Sequence, residues 1–283
     1  YEQKGLLEYF QTEANEEHAH HTAAAAARLG LEAKVLSATE VQAMEPHTPL
    51  QLRGGLFFGC DAHLYPEKLM KTLLRLLPAK GVVLKTDTTV TGFAKTGKRV
   101  TKVLTQQTAF DCDVVVIATG SWSRELAQKA GISIPLVAGR GYSVTLTNSP
   151  FKLNHPAVLQ EGRVAITPMD GNKIRFGGTM EITSIQAPPR YKRVQGILEA
   201  VQRYLPEFKI AMPPKEQIWY GYRPCSADGL PYIGRVQDNI ILATGHAMIG
   251  LSLGAGTGKL VSELAANQST SVDLTAFHPE RFS

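Results

Sequence analysis

One arginine stands where it could hold a carboxylate. Arg223 ends a β-rich run, Tyr220-Gly221-Tyr222-Arg223, and Pro224 follows it. A proline fixes its own φ and biases the preceding residue towards extended backbone, so the guanidinium is offered from a set direction. Its planar fork matches a carboxylate with two parallel hydrogen bonds. A plain surface ion pair is the alternative for Arg223, since such pairs are common and worth little. Two other segments share a pattern. Val116-Ile117-Ala118-Thr119-Gly120 and Ile241-Leu242-Ala243-Thr244-Gly245 are apolar runs that end in small residues. Strands of this kind leave room for a ligand at the carboxyl edge of an open α/β sheet. The second runs on through His246 and Gly250 to Gly254, Gly256 and Gly258 at the start of a helix. Free backbone N–H groups at such a turn, with about half a positive charge at the helix N-terminus, favour a bound anion or a developing negative charge.

Several other chemistries fail on the same residues. The Gly258-Lys259 pair is not a nucleoside-triphosphate loop, because Leu253 stands where the first glycine belongs and Leu260 where Ser or Thr belongs. Gly139-Arg140-Gly141 lacks the third glycine of a dinucleotide fingerprint and leads into a strand pattern. Cys60, Cys112 and Cys225 are too few and too scattered for a disulfide framework or a zinc site. His18, His20 and His21 lack carboxylate or cysteine partners at ligand spacing and read as a solvated helix face, so no metal is expected. The 283 residues carry 43% hydrophobic and 19% charged side chains, which supports a packed core and excludes wholesale disorder. No apolar run is long enough to cross a membrane as a helix. The net charge of +5 is small and spread out, a mild help to anionic ligands and no nucleic-acid footprint.

The elements that must position these residues follow from period and punctuation. A helix is predicted over 12–29, capped by Thr12 and stopped by Gly30, and Ser37 with Glu40 forms a capping box for a short second one. A strand is expected at 54–58 and an amphipathic helix from Pro66, with Leu69, Met70, Leu73, Leu74, Leu76 and Leu77 on one stripe. Further strands are expected at 82–84, 90–94 and 100–106, and a strand buried on both faces at 113–120. A short helix covers 122–130. The texture then changes to alternating strands at 141–146, 163–168, 173–178 and 217–223, with a hairpin turn at Asp170-Gly171 and one helix over 190–204. A buried strand at 239–245 and a helix over 249–266 close the chain.

Taken together, these residues resemble the FAD-dependent D-amino acid oxidase and dehydrogenase family, which includes glycine oxidase, sarcosine oxidase and bacterial D-amino acid dehydrogenase. Four features carry the resemblance: Gly54-Gly55 followed by Asp61 to Pro66; Ala118-Thr119-Gly120-Ser121-Trp122; Gly221-Tyr222-Arg223-Pro224 with Asp228-Gly229-Leu230-Pro231; and Ala243 through His246 and Gly250 to Lys259. The resemblance implies an α/β (α+β) fold: a parallel-sheet FAD-binding part, whose N-terminal βαβ unit is missing, plus an antiparallel-sheet substrate domain. It divides the chain into 1–60 (helical, substrate domain), 61–133 and 225–283 (FAD-binding) and 134–224 (antiparallel, substrate domain). Because the first residue is Tyr1 and the Gly-rich βαβ unit is not seen, the chain is expected to be truncated and FAD to be absent from it as given.

The same resemblance implies roles. Arg223 pairs with the substrate carboxylate. Gly245, His246, Ile249, Gly250, Leu251 and Ser252 lie along the flavin. Ala118, Thr119, Gly120 and Trp122 line the cofactor's path, Gly221 borders it, and Val90 lies near the adenine. Tyr142 is a candidate substrate roof, or an ordinary strand tyrosine. His246 is a proton-transfer candidate, or a structural one. Ala165 and Ile166 occupy a strand where some relatives place a substrate-side tyrosine. Cys225 does not take the place of a flavin-linking cysteine, so FAD is expected to be non-covalent. The expected reaction removes a hydride from the α-carbon of a D-amino acid or glycine-like substrate and gives a 2-oxo acid. Two alternatives use the same residues: a 2-hydroxy acid dehydrogenase, because Arg223 reads only the carboxylate, and a flavin-free partial domain that binds substrate or a partner chain. The partner is a small carboxylate-bearing molecule and not nucleic acid. The electron acceptor is unspecified, a peripheral-membrane or quinone link leaves no mark in the sequence, and the expected place is the cytoplasm or the inner membrane face.

Overall fold

Local signals set the first elements. Thr12 accepts the N–H of Asn15 (3.4 Å) and opens α1 (Glu13–Arg28). Ser37 and Glu40 form the expected capping box of α2 (Ala38–Met44). These helices belong to a computed structural model that describes residues 1–282 and divides into two compact units. The first unit takes residues 1–69, 141–180 and 188–221; the second takes 70–140, 181–187 and 222–282 of the described chain.

The first unit is built on one eight-stranded sheet. Its order is β2 (Ala33–Ser37), β3 (Gly54–Phe58), β1 (Leu6–Phe10), β9 (Ala157–Leu159), β10 (Val164–Met169), β11 (Lys173–Ile182), β8 (Leu136–Leu146) and β12 (Ile218–Ser226). The sheet is mixed, because β1 runs parallel to β9 while β1 with β3 and β10 with β11 are antiparallel. Within the section 134–224 the pairs β9 with β10 and β10 with β11 are antiparallel as expected, and the parallel pair comes from β1, outside that section. The early strands β1, β2 and β3 join the later ones, and β1 and β2 are too short to declare a period of two.

Alternation along the strands sorts the side chains. Tyr142, Val144, Ile166, Ile174 and Phe176 turn to one face, where they share a core with Val194, Ile197 and Val201 of α5 (Lys192–Tyr204). Their neighbours Ser143, Ala165, Arg175 and Gly177 turn to the other face.

In the second unit β13 (Tyr232–Val236) is antiparallel to β14 (Ile240–Thr244), and β14 is parallel to β7 (Val115–Ile117). A meander of β4 (Val90–Thr96), β5 (Arg99–Thr105) and β6 (Ala109–Asp111) forms a separate sheet. The buried Asn239 amide ties the two sheets together. Its Nδ2 donates to the carbonyls of Val100 and Asp113, and its Oδ1 accepts the N–H of Val100. Helices α4 (Ser123–Lys129) and α6 (Gly250–Ala265) follow β7 and β14 in the chain.

Two expectations fail in this region. Residues 82–84 are not a strand: Val82, Val83 and Leu84 are exposed. The run 113–120 is a strand for three residues only, at the edge of its sheet, and alternation turns Val116 to the face opposite Val115 and Ile117, where it is exposed. A related finding concerns α3 (Pro66–Ala79). It forms where the stripe predicts, yet none of its residues is buried, and Met70, Leu73, Leu74 and Leu76 face solvent. The sequence pattern specifies an apolar face and cannot say what covers it.

The C-terminal residues fasten this unit. Arg281 grips both oxygens of Asp228 (Nε and Nη2, 2.8 Å each), donates to the carbonyls of Leu230 and Pro231, and stacks on the Tyr232 ring at 4.2 Å. Hydrogen bonds from Arg281 hold the Asp228 carboxyl far below the usual carboxylate range. A group whose folded pKa is depressed stabilises above its unfolded pKa, about 3.9 for Asp, and that contribution fades as pH falls towards the folded value. Arg281→Ala is therefore expected to cost about 1–3 kcal/mol at neutral pH. In urea titrations Asp228→Asn should be destabilised at pH 7, with the gap from wild type closing below about pH 4. An equal gap at pH 7 and pH 2.5 would show that the pair is not the source.

Candidate active site

The aligned ends of β7 and β14 create the edge that the sequence pattern called for. Leu242 is in register with Ile117, and the Thr244 hydroxyl donates to the Gly120 carbonyl (3.1 Å), so the two Ala-Thr-Gly exits lie side by side. Gly120 and Gly245 both take left-handed backbone (φ +57° and +84°), which lets the chain leave each strand sharply. A Cβ at Gly245 would meet the Tyr232 ring at 2.9 Å and its backbone N at 3.3 Å, so glycine is required there twice over.

The turn after Gly245 is tied to the strand that carries Arg223. Cys225 and His246 form a β-bridge, and the Ala247 N–H donates to the Pro224 carbonyl (2.9 Å). Ala247 itself has positive φ, +47°, which marks a strained turn held by these bonds. Helix α6 then begins at Gly250 with no side-chain cap, so its first N–H groups are left for solvent or a ligand. Met248, Ile249 and Leu251 are exposed beside it, as is Trp122 at the β7 exit.

Arg223 decides what the edge can do. Its guanidinium is half-buried, burial lowers its basicity, and among the described residues no acidic side chain pairs with it. Nη1 is buried with no hydrogen-bond partner, and so are Ser121 Oγ and Ser226 Oγ among the described residues of this unit. An unsatisfied buried donor costs about 1–3 kcal/mol, and more when charged. The surface ion pair considered for Arg223 is therefore absent, and a carboxylate is the partner its chemistry lacks.

Burial lowers the His246 pKa, so the imidazole is neutral at neutral pH, and Nε2 is engaged with the Thr257 hydroxyl (2.9 Å) on α6. This contact staples the turn to its helix. Cys225 is buried, its thiol pKa is raised by burial, and its Sγ lies 3.5 Å from the Arg223 carbonyl. Such a thiol is a poor nucleophile. Val90 lines an open cleft of about 510 Å³ with Val83, Lys85, Thr88, Val103 and Phe110.

Two selected residues lie in the first unit. Tyr142 is in the core: it is 1% exposed and its hydroxyl accepts the Arg190 N–H (2.7 Å). Strand alternation turns it to the α5 face. Gly221 is small because the Trp219 indole lies on it; an added Cβ would meet that ring at 2.4 Å.

A family model described as FAD dependent oxidoreductase matches residues 1–264. The chain belongs to that family. It is 30% identical over 279 residues to a D-amino acid dehydrogenase of Neisseria meningitidis, covering 95% of this chain and 65% of the relative. It is 31% identical over 195 residues to a D-amino-acid oxidase of Bradyrhizobium diazoefficiens, covering 68% and 46%. The chain thus spans less than two thirds of the length of these two relatives. The fold matches the crystal structure of glycine oxidase from Geobacillus kaustophilus with a TM-score of 0.91 and 25% identity, over 99% of this chain and 75% of that one.

Sequence reasoning missed one network in this family member. Arg140 is fully buried, binds Glu181 (2.6 and 2.8 Å) and the Ala187 carbonyl (2.6 Å), and lies 5.9 Å from the Tyr222 ring. Tyr222 donates to the Ile185 carbonyl (2.8 Å) and meets Trp122 edge-on at 6.1 Å. These contacts fix the residue before Arg223, and Arg140 and Glu181 are too far apart in sequence to show it. Among the described residues there is no cluster of His, Cys, Asp and Glu that could hold a metal, and no helix long and apolar enough to cross a membrane.

Gly245→Ala is expected to destabilise the protein by about 1–3 kcal/mol, from left-handed backbone and contact with Tyr232. Thermal unfolding measures this; an unchanged midpoint would show that the turn tolerates a side chain.

Proposed function

We propose that the protein oxidises a small amino acid, of D configuration or glycine-like, at its α-carbon and yields a 2-oxo acid after hydrolysis. The observation that carries this reading is Arg223: a desolvated guanidinium with an unmatched donor at a strand-end edge suited to a flavin. The names of the relatives supply the substrate class. The residues fit FAD. The uncapped start of α6 and the apolar side chains of Ile249 and Leu251 suit the ring system, the 118–120 exit and Trp122 suit its path, and the cleft beside Val90 suits the adenine end. The raised thiol pKa of Cys225 supports a non-covalent cofactor. The solvent-facing stripe of α3 and the open edge of β7 are surfaces that a further strand-and-helix unit carrying the pyrophosphate site would cover.

When bound, FAD supplies the two-electron acceptor. This chain's own residues bind and orient. Arg223 fixes the substrate carboxylate, which sets where the α-carbon sits. The N-terminus of α6 favours negative charge at the turn. His246 holds the turn through Thr257, and proton transfer is not assigned to it. Arg140 and Glu181 brace Tyr222 and through it the strand that carries Arg223.

In the full-length flavoprotein Arg223→Met is expected to lower kcat/KM for the amino acid about 100-fold or more, in keeping with the loss of a buried charge pair, with flavin content unchanged. Loss of flavin in step with activity would make Arg223 structural instead. Dye reduction with D-amino acids, glycine and 2-hydroxy acids checks the substrate class; reduction by the hydroxy acids alone would overturn the amino acid reading.

A further inference from the structure

At the turn end of the β10–β11 hairpin the first unit holds a cavity of about 510 Å³, within the range of small-molecule sites. Its apolar wall is made by Leu153, Pro168 and Ile174. Leu153 and Ile174 belong to the core shared with α5, and Pro168 is directly opposite Ile174 in the ladder. Alternation therefore sets this wall on the reverse of the face that carries Arg175.

One side of the cavity is a loop fixed from below. Glu45 is fully buried, and its carboxylate accepts the N–H groups of Asn154 (2.6 Å) and His155 (2.8 Å). The same carboxylate lies 2.8 Å from His155 Nδ1. The Thr48 hydroxyl donates to the Lys152 carbonyl (2.7 Å), and the Asn154 amide donates to the Met44 carbonyl (2.8 Å). With Nδ1 given to Glu45, Nε2 is the ring nitrogen that His155 has left for a ligand, and His155 lines the cavity. A loop held by this many bonds loses little freedom when something binds.

The rim carries more cations than its own carboxylates answer. Glu2 is paired with Lys4 (2.6 Å), and Asp170 is bound by Lys68 with Lys173 beside it as a second cation. Lys152 is exposed on the rim and has no acidic partner among the described residues. One positive charge from the pair around Asp170 and that of Lys152 are thus left over. An ammonium is a compact point charge, which suits a phosphate better than the planar two-point recognition of a carboxylate.

We propose that this cavity binds a small organic phosphate, with its phosphoryl group held by Lys152, Lys173 and His155 Nε2, and its apolar body against Leu153, Pro168 and Ile174. Charge surplus selects the dianion, and a cavity far larger than a bare phosphate, with one apolar wall, selects the body attached to it. The inference goes beyond the proposed reaction, in which none of these residues has a part, and binding alone tests it.

The full-length protein carrying ¹³Cε1-labelled histidine is titrated with phenyl phosphate and followed by NMR; the resonance lost in His155→Gln marks that ring. Phenyl phosphate is expected to shift it saturably, and phenol to leave it in place. Inorganic phosphate and benzoate are expected to bind about tenfold more weakly or worse. Lys152→Gln combined with Lys173→Gln should weaken phenyl phosphate by about tenfold or more. Lys98→Gln combined with Lys129→Gln removes the same charge from the second unit and should leave the affinity unchanged, as should Arg223→Met. All four lysines are exposed, so calorimetric titration of these double variants carries the test if His155→Gln fails to fold. Equal weakening in both double variants would reduce the effect to general electrostatic attraction and overturn the proposal. So would inorganic phosphate or benzoate binding as tightly as phenyl phosphate, or a response that vanishes in Arg223→Met, which would assign the anion to the second unit's arginine.

Discussion

A guanidinium held partly out of water, with one donor matched to nothing, is a cost that a fold keeps only when a ligand removes it. Arg223 is such a group, and the second unit is arranged around holding it in place. Pro224 limits the backbone of Arg223 and gives its carbonyl to Ala247. Cys225 bridges His246. Tyr222, on the other side, is hydrogen-bonded to Ile185 and flanked by Arg140 and Trp122. Each contact removes freedom from the strand that carries the arginine, so in the proposed reading orienting a carboxylate costs little more at binding. Preorganisation of this kind is what turns a charge into a positioning device.

The same bonds explain why the Gly-rich turn can be both strained and stable. Ala247 at φ +47° and Gly245 at +84° would not persist in an isolated strand-to-helix link. They persist because Tyr232 packs under Gly245, Thr244 reaches Gly120, and His246 is anchored to Thr257 on the helix that follows. The uncapped N-terminus of α6 is then delivered beside the exit of β7. Its unpaired N–H groups are the backbone counterpart of the unmatched arginine.

Much of this was legible in the sequence where the signal is local. The cap at Thr12, the box at Ser37 and Glu40, the strand at Gly54–Phe58 and the glycine-terminated strand β14 rest on chemistry within a few residues. The edge formed by the two Ala-Thr-Gly exits was legible because both copies carry it. What escaped needed three dimensions. Strands β1 and β2 are stabilised by partners far away in the chain, and β1 pairs in parallel with β9, about 150 residues later. The run 113–120 has the composition of a central strand, but β7 is an edge in this chain and stops after three residues. For α3, periodicity gave the apolar face correctly and was silent on its partner. Tyr142 and Ser143 show the sharpest limit: one residue of register separates a core tyrosine from an open-face serine, and sequence alone does not fix that phase.

Partner accounting, rather than residue type, sets Arg223 apart from the fully matched arginines of this protein. Arg281 places its donors on Asp228 and three carbonyls. Arg140 is more deeply buried than Arg223, yet it is matched by Glu181 and the Ala187 carbonyl. Both are closed systems in which a ligand would have to displace an existing bond. Arg223 is also drawn out of water, but among the described residues no carboxylate pairs with it, and its buried Nη1 is left unmatched. An arginine in that state has given up hydration without receiving a counter-charge from the chain. The difference cannot be read from Gly-Tyr-Arg-Pro, because it lies in what is missing around the group. In the proposed reading, the substrate carboxylate completes the hydrogen-bonding shell that folding leaves open at Arg223.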